Sequence, residues 1–317
     1  MRRDEFVHQA LRYASDEEFL AGTEPFVRDG LAGGDAVLAV VKRRNIGLLR
    51  DALGGGARDV EFIDADDWYG YPSRTLGRYH TYCTEHGTTA TGGARRVRVI
   101  GEPVWSRRSE LETREWMRYE SLLNVAFARS GHWILCPYDQ RDLSEHVLTT
   151  AARTHPELAA PEGDLAVSDA YARPEDFYAE SDAGPLDPAP DPSREVTFDR
   201  RESVTARRAA GEFARRGGLS EERVREVMSA VHESALNALR HGGGHAVLRL
   251  WARPAYLVFE IADSGVHAPV EALFPGHLPP RATAASGHGM WLVRQLSDLV
   301  EQRIARGGSV VRMHFRV

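Results

Sequence analysis

The feature that most constrains this chain is a pair of polar residues on one amphipathic helix, followed by two glycine signals. The stretch 220–241 begins at Ser220, carries acids in its first turn and ends before three glycines, which are ordinary signals for a helix start and stop. Advancing about 100° per residue places Glu233 and Asn237 on one face, because they lie four residues apart. The opposite, core-facing stripe contains Val224, Val227, Met228, Val231, Ala235 and Leu239.

Two glycine signals follow this helix. Asp263-Ser264-Gly265 ends an apolar strand candidate over 256–261, and the glycine permits a positive φ or a closely approaching ligand. Gly287-His288-Gly289 opens a second apolar helix, whose unpaired N–H groups and positive dipole end suit a phosphate. Alone, each signal is typical of an ordinary turn or helix entry. In this order, together with the polar pair, they favour a site for a magnesium nucleotide.

The remaining C-terminal segments predict a lid and a closing strand. Residues 266–286 contain four prolines and no clear periodicity, and a loop of this length in a compact domain is usually functional or disordered. We interpret this loop as a lid. The stretch 309–317 alternates apolar and polar residues, which predicts a half-buried strand.

The order of these elements carries a family resemblance. A helix with E-x-x-x-N, a strand with D-x-G, a lid, a G-x-G helix, a Gly-Gly pair and a final strand resemble the GHKL (Bergerat-fold) ATPases. Within them, the region is most similar to the RsbW-type anti-sigma-factor serine kinases. The resemblance covers residues 194–317 and implies a C-terminal Bergerat-fold α/β sandwich that binds ATP and Mg²⁺.

The resemblance also implies roles for matching positions. Asn237 would hold the magnesium ion, and Glu233 would be the catalytic general base on a protein hydroxyl. Asp263 would accept a hydrogen bond from the adenine amino group, and Gly265 would pack near the base. These roles suit phosphoryl transfer, which needs a metal, positioning and a base within reach of the attacking hydroxyl.

The resemblance also assigns the glycines of the G-x-G signal, and one position of the aspartate loop departs from the family pattern. Gly287 and Gly289 would line the phosphates. The family's aspartate loop often reads D-x-G-x-G, but position 267 here is His267 rather than the second glycine. This departure bears on the conformation of the loop or on nucleotide affinity, and so on the ATP assignment more than on the fold.

Two alternatives stay open. A sensor histidine kinase carries its acceptor histidine on a separate helical hairpin, but no long two-helix heptad segment precedes residue 194, and His232 lies inside the nucleotide helix. A non-catalytic interaction module would keep the fold and act by stoichiometric capture of its partners. The substitution at His267 keeps this module under consideration. We favour serine or threonine phosphorylation of a protein.

Composition bounds the remaining possibilities. A length of 317 residues suggests two domains, and a net charge of −6 gives no general attraction to nucleic acid or anionic membranes. The chain has no apolar run of about 18 residues and no signal-peptide pattern at its start. Two cysteines do not make a disulfide framework. We therefore expect a cytoplasmic protein with no membrane contact and no direct nucleic-acid binding.

The N-terminal region, 1–150, predicts a mostly parallel α/β domain. Short apolar runs alternate with helical stretches, which is typical of a parallel sheet. The predicted strands are 35–41, 60–63, 97–100 and 133–136, and the predicted helices are 16–32, 44–53, 72–86 and 110–129. Residues 151–179 are interpreted as a terminal helix plus a connection, and 180–193 as a proline-rich linker.

Four sequence segments of this region resemble the MEDS sensory domain: residues 6–13, 101–105, 119–124 and 136–139. They are most similar to the actinobacterial RsbA-type regulators, which join that domain to an RsbW-like ATPase. The resemblance covers about residues 5–150. It implies the sensing of a signal without defining the ligand.

A candidate sensory ligand site follows from the polar and aromatic residues near strand ends and helix starts, where ligands of open α/β sheets usually lie. Its residues are His8, Glu102, Trp105, Tyr119, Glu120 and Asp139. Each also has an ordinary structural interpretation, as a core, capping or ion-pair residue. Cys136 is interpreted as a buried, inert thiol. The spacing of His and Cys residues does not indicate a metal site here.

The complete interpretation is a two-domain cytoplasmic regulator. By resemblance, the C-terminal domain would capture a sigma factor and phosphorylate a serine or threonine of a STAS-type anti-sigma antagonist. A signal at the N-terminal domain would bias it between these partners, which requires different affinities for two states. Dimers are common in the kinases it resembles, which leaves a homodimer open.

Overall fold

The computed structural model describes residues 5–191, 193–265, 274, 276–280, 288–305 and 307–317. The chain divides into two compact units, and the division falls between Glu180 and Ser181. In the described part of the chain, no helix combines the length and the apolar character needed to cross a membrane.

The described residues of the first unit form a seven-stranded sheet. Its strands are β1 (Val7–Tyr13), β2 (Ala36–Val41), β3 (Val60–Asp64), β4 (Val97–Gly101), β5 (Trp133–Asp139), β6 (Glu157–Ala159) and β7 (Leu165–Val167). They lie in the order β3-β2-β4-β5-β1-β6-β7. All neighbours are parallel except β6 and β7. The expectation of a mostly parallel α/β domain is therefore confirmed.

Helices connect these strands. They are α1 (Asp16–Ala32), α2 (Arg43–Leu53), α3 (Ala65–Trp68), α4 (Pro72–His86), α5 (Glu110–Ala126), α6 (Glu145–Thr154) and α7 (Pro174–Ser181). The predicted helices 16–32 and 72–86 agree with α1 and α4. Helix α5 starts at a capping box between Ser109 and Glu112 and ends at Ala126, three residues earlier than predicted.

Two parts of this sheet were not predicted. Strand β1 lies between β5 and β6 and is buried over most of its length, yet polar His8 and Gln9 interrupt its apolar run. The segment 151–179, expected to hold a terminal helix and a connection, also supplies β6 and β7, each only three residues long.

The second unit is an antiparallel sheet with helices. Its described strands are β8 (Arg194–Asp199), β9 (His245–Arg253), β10 (Tyr256–Asp263), β11 (Leu299–Ala305) and β12 (Gly308–Arg316), in the order β11-β12-β10-β9-β8. Its described helices are α8 (Ser203–Arg216), α9 (Glu221–His241) and α10 (His288–Leu296). This architecture agrees with the expected α/β sandwich.

The predicted stripe of α9 forms part of the core of this unit. Val224, Val227, Val231 and Ala235 are fully buried and belong to one hydrophobic cluster with side chains of the sheet, among them Phe259. Ser220 caps the helix, because its hydroxyl accepts a hydrogen bond from the Arg223 N–H at 3.3 Å. Because one face of α9 packs in the core, the position of the opposite face, which carries Glu233 and Asn237, is fixed relative to the sheet.

Candidate functional site

The polar pair of α9 lies on the face that the core leaves free. Glu233 and Asn237 are both half-buried. Among the described residues, neither side chain has a hydrogen-bond partner, although each carries groups that bind cations or donors. A carboxylate and an amide are thus held one helical turn apart on this face.

The start of α10 lies directly against this pair. A Cβ atom added to Gly289 would stand 2.9 Å from Glu233 Oε2 and 3.4 Å from Asn237 Nδ2. Only glycine fits this close approach without moving a side chain. Two of the three motifs that the sequence singled out, the polar pair and the second glycine signal, therefore lie together.

The third motif meets the end of α9. A Cβ atom on Gly265 would stand 2.2 Å from the carbonyl carbon of Gly242, and one on Gly242 would stand 2.3 Å from Cγ of Asp263. The Asp263-Ser264-Gly265 bend thus packs on the backbone that terminates the helix. Both contacts are too close for any residue larger than glycine.

The carboxylate of Asp263 has a fixed orientation. Gly265 N–H donates to Oδ1 at 3.1 Å, and the Ser309 hydroxyl donates to Oδ2 at 2.6 Å. Ser309 is a residue that sequence reasoning missed. Its only signal was the preceding Gly-Gly pair, because Gly308 has a φ of 143° and brings β12 against the backbone of Asp263.

Two predicted positions lie outside the described residues. Gly287 and His267 are not described, and of the lid interpreted over 266–286 only residues 274 and 276–280 are. The phosphate role of Gly287 and the lid itself stay predictions.

In the first unit, two of the predicted sensory residues have carboxylates that form hydrogen bonds with other residues of the protein. Glu102 is buried; its Oε1 accepts from the Tyr13 hydroxyl at 3.0 Å, and its Oε2 accepts from Lys42 N–H and Asn45 Nδ2, both at 2.9 Å. Asp139 forms two hydrogen bonds with the guanidinium of Arg141, each of 2.8 Å. Both carboxylates already have the partners that their burial requires.

Two others form a separate cluster with residues that were not predicted. His8 and Glu120 lie together, with His8 Nε2 3.8 Å from Glu120 Oε2, and the structure adds Cys136 and His155. These four side chains are at most 2% exposed, and one potential ligand atom from each lies within 4.8 Å of the others. Such a grouping can hold a metal ion.

The last two predicted sensory residues, Trp105 and Tyr119, are not part of this cluster. The ring of Tyr138 lies 5.6 Å from that of His155 and 6.3 Å from that of Trp105. The buried hydroxyls of Tyr119 and Tyr138 have no hydrogen-bond partner among the described residues. Burial raises the pKa of both hydroxyls well above the ordinary value.

Burial sets the protonation of the cluster. It lowers the pKa of His8 to about 4 and that of His155 to about 3, so both imidazoles are neutral near pH 7. It raises the pKa of Glu120 to about 7 and that of the Cys136 thiol well above its usual value. Neutral imidazole is the form of histidine that binds metals.

Two family models match separate parts of the chain, one within each compact unit. Residues 7–156 match the model of the MEDS family, the methanogen/methylotroph DcmR sensory domain, and residues 196–315 match the histidine kinase-like ATPase domain. The chain joins a MEDS domain to a histidine kinase-like ATPase domain. The His8 cluster belongs to the MEDS domain, and Glu233, Asn237 and Asp263 belong to the ATPase domain.

Two solved structures resemble part of the chain at low similarity. The RsbU and RsbW domains of Rv1364c from Mycobacterium tuberculosis give a TM-score of 0.30 at 17% identity, covering 40% of this chain and 33% of that chain. The histidine kinase domain of the E. coli osmosensor EnvZ gives 0.22 at 18% identity, covering 38% and 88%. The chain thus spans about one third of the Rv1364c chain that it matches. No curated protein sequence matches the chain.

Proposed function

We propose that the ATPase domain binds Mg-ATP between α9, α10 and the Asp263 bend, and transfers the γ-phosphoryl group to a protein serine or threonine. The observation that carries this proposal is the contact of Gly289 with Glu233 and Asn237. The start of a helix, which favours phosphate, lies here beside a carboxylate that would act as the base and an amide that would bind magnesium.

The positions of the side chains support distinct roles. The amide oxygen of Asn237 would bind Mg²⁺, a hard cation that prefers oxygen ligands. Glu233 would take the proton of the attacking hydroxyl as its oxygen bonds to the γ-phosphorus. The bond from that phosphorus to the bridging oxygen breaks, and ADP leaves with the electron pair.

The oriented carboxylate of Asp263 supports an adenine site at the other end. Its contacts with Gly265 N–H, Ser309 N–H and the Ser309 hydroxyl hold it in place. It would accept a hydrogen bond from the exocyclic amino group of adenine. Gly265 would allow the base to lie close to the backbone.

The proposed partners come from the resemblance to RsbW-type kinases. A sigma factor would be captured, and a STAS-type antagonist would be phosphorylated, both in the cytoplasm. The MEDS domain would shift the balance between these partners by binding a signal. A homodimer would fit the same arrangement.

Transfer of phosphate from labelled ATP to a purified STAS-type antagonist tests the proposal. We expect acid-stable phosphate on the antagonist, and a loss of rate of roughly 10²–10⁴ in Glu233→Gln, because a positioned general base contributes about that factor. Partner capture should persist in this variant. Glu222→Gln is the matched control, since Glu222 is exposed in the first turn of the same helix.

The other outcomes are informative. Equal rates in Glu233→Gln and Glu222→Gln would contradict the role of the base. Acid-labile phosphate would indicate a histidine kinase instead. Partner capture by the natural chain without any transfer would identify a non-catalytic module.

A further inference from the structure

The MEDS domain contains a constellation that its sequence does not reveal. His8 comes from β1, Glu120 from α5, Cys136 from β5, and His155 from the residue that follows α6. Strands β1 and β5 are adjacent, and Ala10 is the direct neighbour of Cys136. His8, two residues before Ala10, therefore points to the same face of the sheet as the thiol.

The separations between the polar atoms suit a tetrahedral metal site. Cys136 Sγ lies 3.6 Å from His8 Nε2 and 3.7 Å from Glu120 Oε2, and His155 Nε2 lies 3.6 Å from the same oxygen. Metal–ligand bonds of about 2.0–2.3 Å at tetrahedral angles place ligand atoms roughly 3.3–3.6 Å apart. Nitrogen–oxygen hydrogen bonds, at about 2.7–3.2 Å, are shorter than the separations that link the two histidines to Glu120.

The first histidine is oriented for this role by its second nitrogen. His8 Nδ1 lies 3.0 Å from Asn124 Oδ1. The Asn124 amide group donates to the carbonyls of Ser121 and Thr154, so Oδ1 is its acceptor and His8 Nδ1 carries the proton. The lone pair of His8 Nε2 therefore faces the cluster.

The second histidine repeats the arrangement. His155 Nδ1 lies 2.8 Å from the carbonyl oxygen of Ala151, which can only accept, so Nδ1 carries the proton. His155 Nε2 is buried and has no hydrogen-bond partner among the described residues. Two imidazole lone pairs, a thiol and a carboxyl group thus converge at one buried point.

We propose that His8, Glu120, Cys136 and His155 bind a Zn²⁺ ion in a closed tetrahedral site. The imidazoles bind as neutral ligands, while binding releases one proton from the Cys136 thiol and one from Glu120 where that carboxyl is protonated. Thiolate and carboxylate together balance the charge of the ion. The complete site is then neutral, which removes most of the cost of burying a charge.

Cobalt(II) binding to the full chain tests the site without reference to nucleotide. After dialysis against a chelator, the natural chain should take up one Co²⁺ with thiolate-to-cobalt charge-transfer absorption, which Zn²⁺ then abolishes. Cys136→Ser should lose this absorption. Cys83→Ser should keep it, because Cys83 is the other buried cysteine and lies outside the cluster.

A second variant protects the test against misfolding. Glu120→Gln keeps the shape of the side chain and should weaken zinc affinity at least about tenfold while the circular dichroism spectrum stays unchanged. The proposal is overturned if the natural chain takes up no metal, or if the absorption persists in Cys136→Ser. A magnesium site of oxygen ligands in the ATPase domain gives no thiolate absorption, so the two sites are read separately.

Discussion

Each of the two domains holds a small group of polar side chains, but one group is closed off from solvent and the other is open. In the MEDS domain, His8, Glu120, Cys136 and His155 are at most 2% exposed and face one another. In the ATPase domain, the pair on α9 is half-buried and faces a glycine backbone. A closed set can complete the coordination of an ion by itself, whereas an open pair needs a larger ligand that brings its own groups.

The walls of the two sites explain this difference. Beside the ATPase pair, Gly289 brings its backbone close without adding a side chain. Around the MEDS cluster, rings such as that of Tyr138 exclude solvent. The first arrangement suits a ligand that exchanges, and the second suits one that stays.

Of the changes considered, removal of zinc should have the largest effect, and it should lower the thermal stability of the closed MEDS site while leaving the open ATPase site unchanged. At a free zinc concentration of about 1,000 times the dissociation constant, binding stabilises the folded MEDS domain by about 4 kcal/mol. This corresponds to a shift in Tm on the order of 10 °C for a domain of this size. Calorimetry of the chain with zinc and with chelator measures it. Cys136→Ser should show no shift, and a natural chain whose Tm ignores zinc would remove the contrast.

Glu102→Ala should cost stability without affecting either ligand. The substitution leaves the buried donors of Tyr13 and Asn45 without their acceptor, and we expect a loss of about 3 kcal/mol in the free energy of unfolding. Urea denaturation measures this loss. Glu162→Ala, at an exposed position, should change it by less than about 0.5 kcal/mol. Equal losses in the free energy of unfolding for both variants would show that the hydrogen bonds of Glu102 do not stabilise the fold.

Gly265→Ala should damage the ATPase site through the backbone. The new Cβ would stand 2.2 Å from Gly242, and overpacking of this kind costs about 2 kcal/mol. We expect lower stability of the ATPase domain and loss of Mg-ATP binding, with zinc uptake unchanged. Gly307→Ala, where an added Cβ meets nothing within 4 Å, is the matched control. Unimpaired nucleotide binding would place the nucleotide elsewhere.

Gly289→Ala should have the smallest effect and act on turnover. Its Cβ would meet the flexible side-chain ends of Glu233, at 2.9 Å, and Asn237, at 3.4 Å, so the fold can adapt, and alanine suits a helix better than glycine. Displacing the base should lower the phosphotransfer rate on the order of tenfold. A rate equal to that of the natural chain would separate Gly289 from the reaction.

The sequence was sufficient where signals are local. The cap at Ser220 and the apolar stripe of α9 fixed that helix and the common face of Glu233 and Asn237, because both rest on periodicity and capping. The contact between these residues and Gly289 required the fold. Ser309 was missed because no local pattern links it to Asp263, 46 residues earlier.

The cluster of His8, Glu120, Cys136 and His155 could not be predicted from the sequence. Its residues come from β1, α5, β5 and the position after α6, so the short His and Cys spacings that indicate zinc in a sequence do not occur. Strand β1 was not predicted either, since His8 and Gln9 break the apolar run although both are buried. Cys136 was correctly expected to be buried, but burial placed it beside two histidines.

Calorimetric titration of the full chain with Mg-ATP, with Asn237→Ala as the comparison, decides whether the nucleotide binds at α9. We expect the natural chain to bind Mg-ATP and Asn237→Ala to bind it at least about tenfold more weakly, as for lost metal ligation, with zinc uptake unchanged in both. Affinity for Mg-ATP that is the same in both proteins would contradict the site on α9.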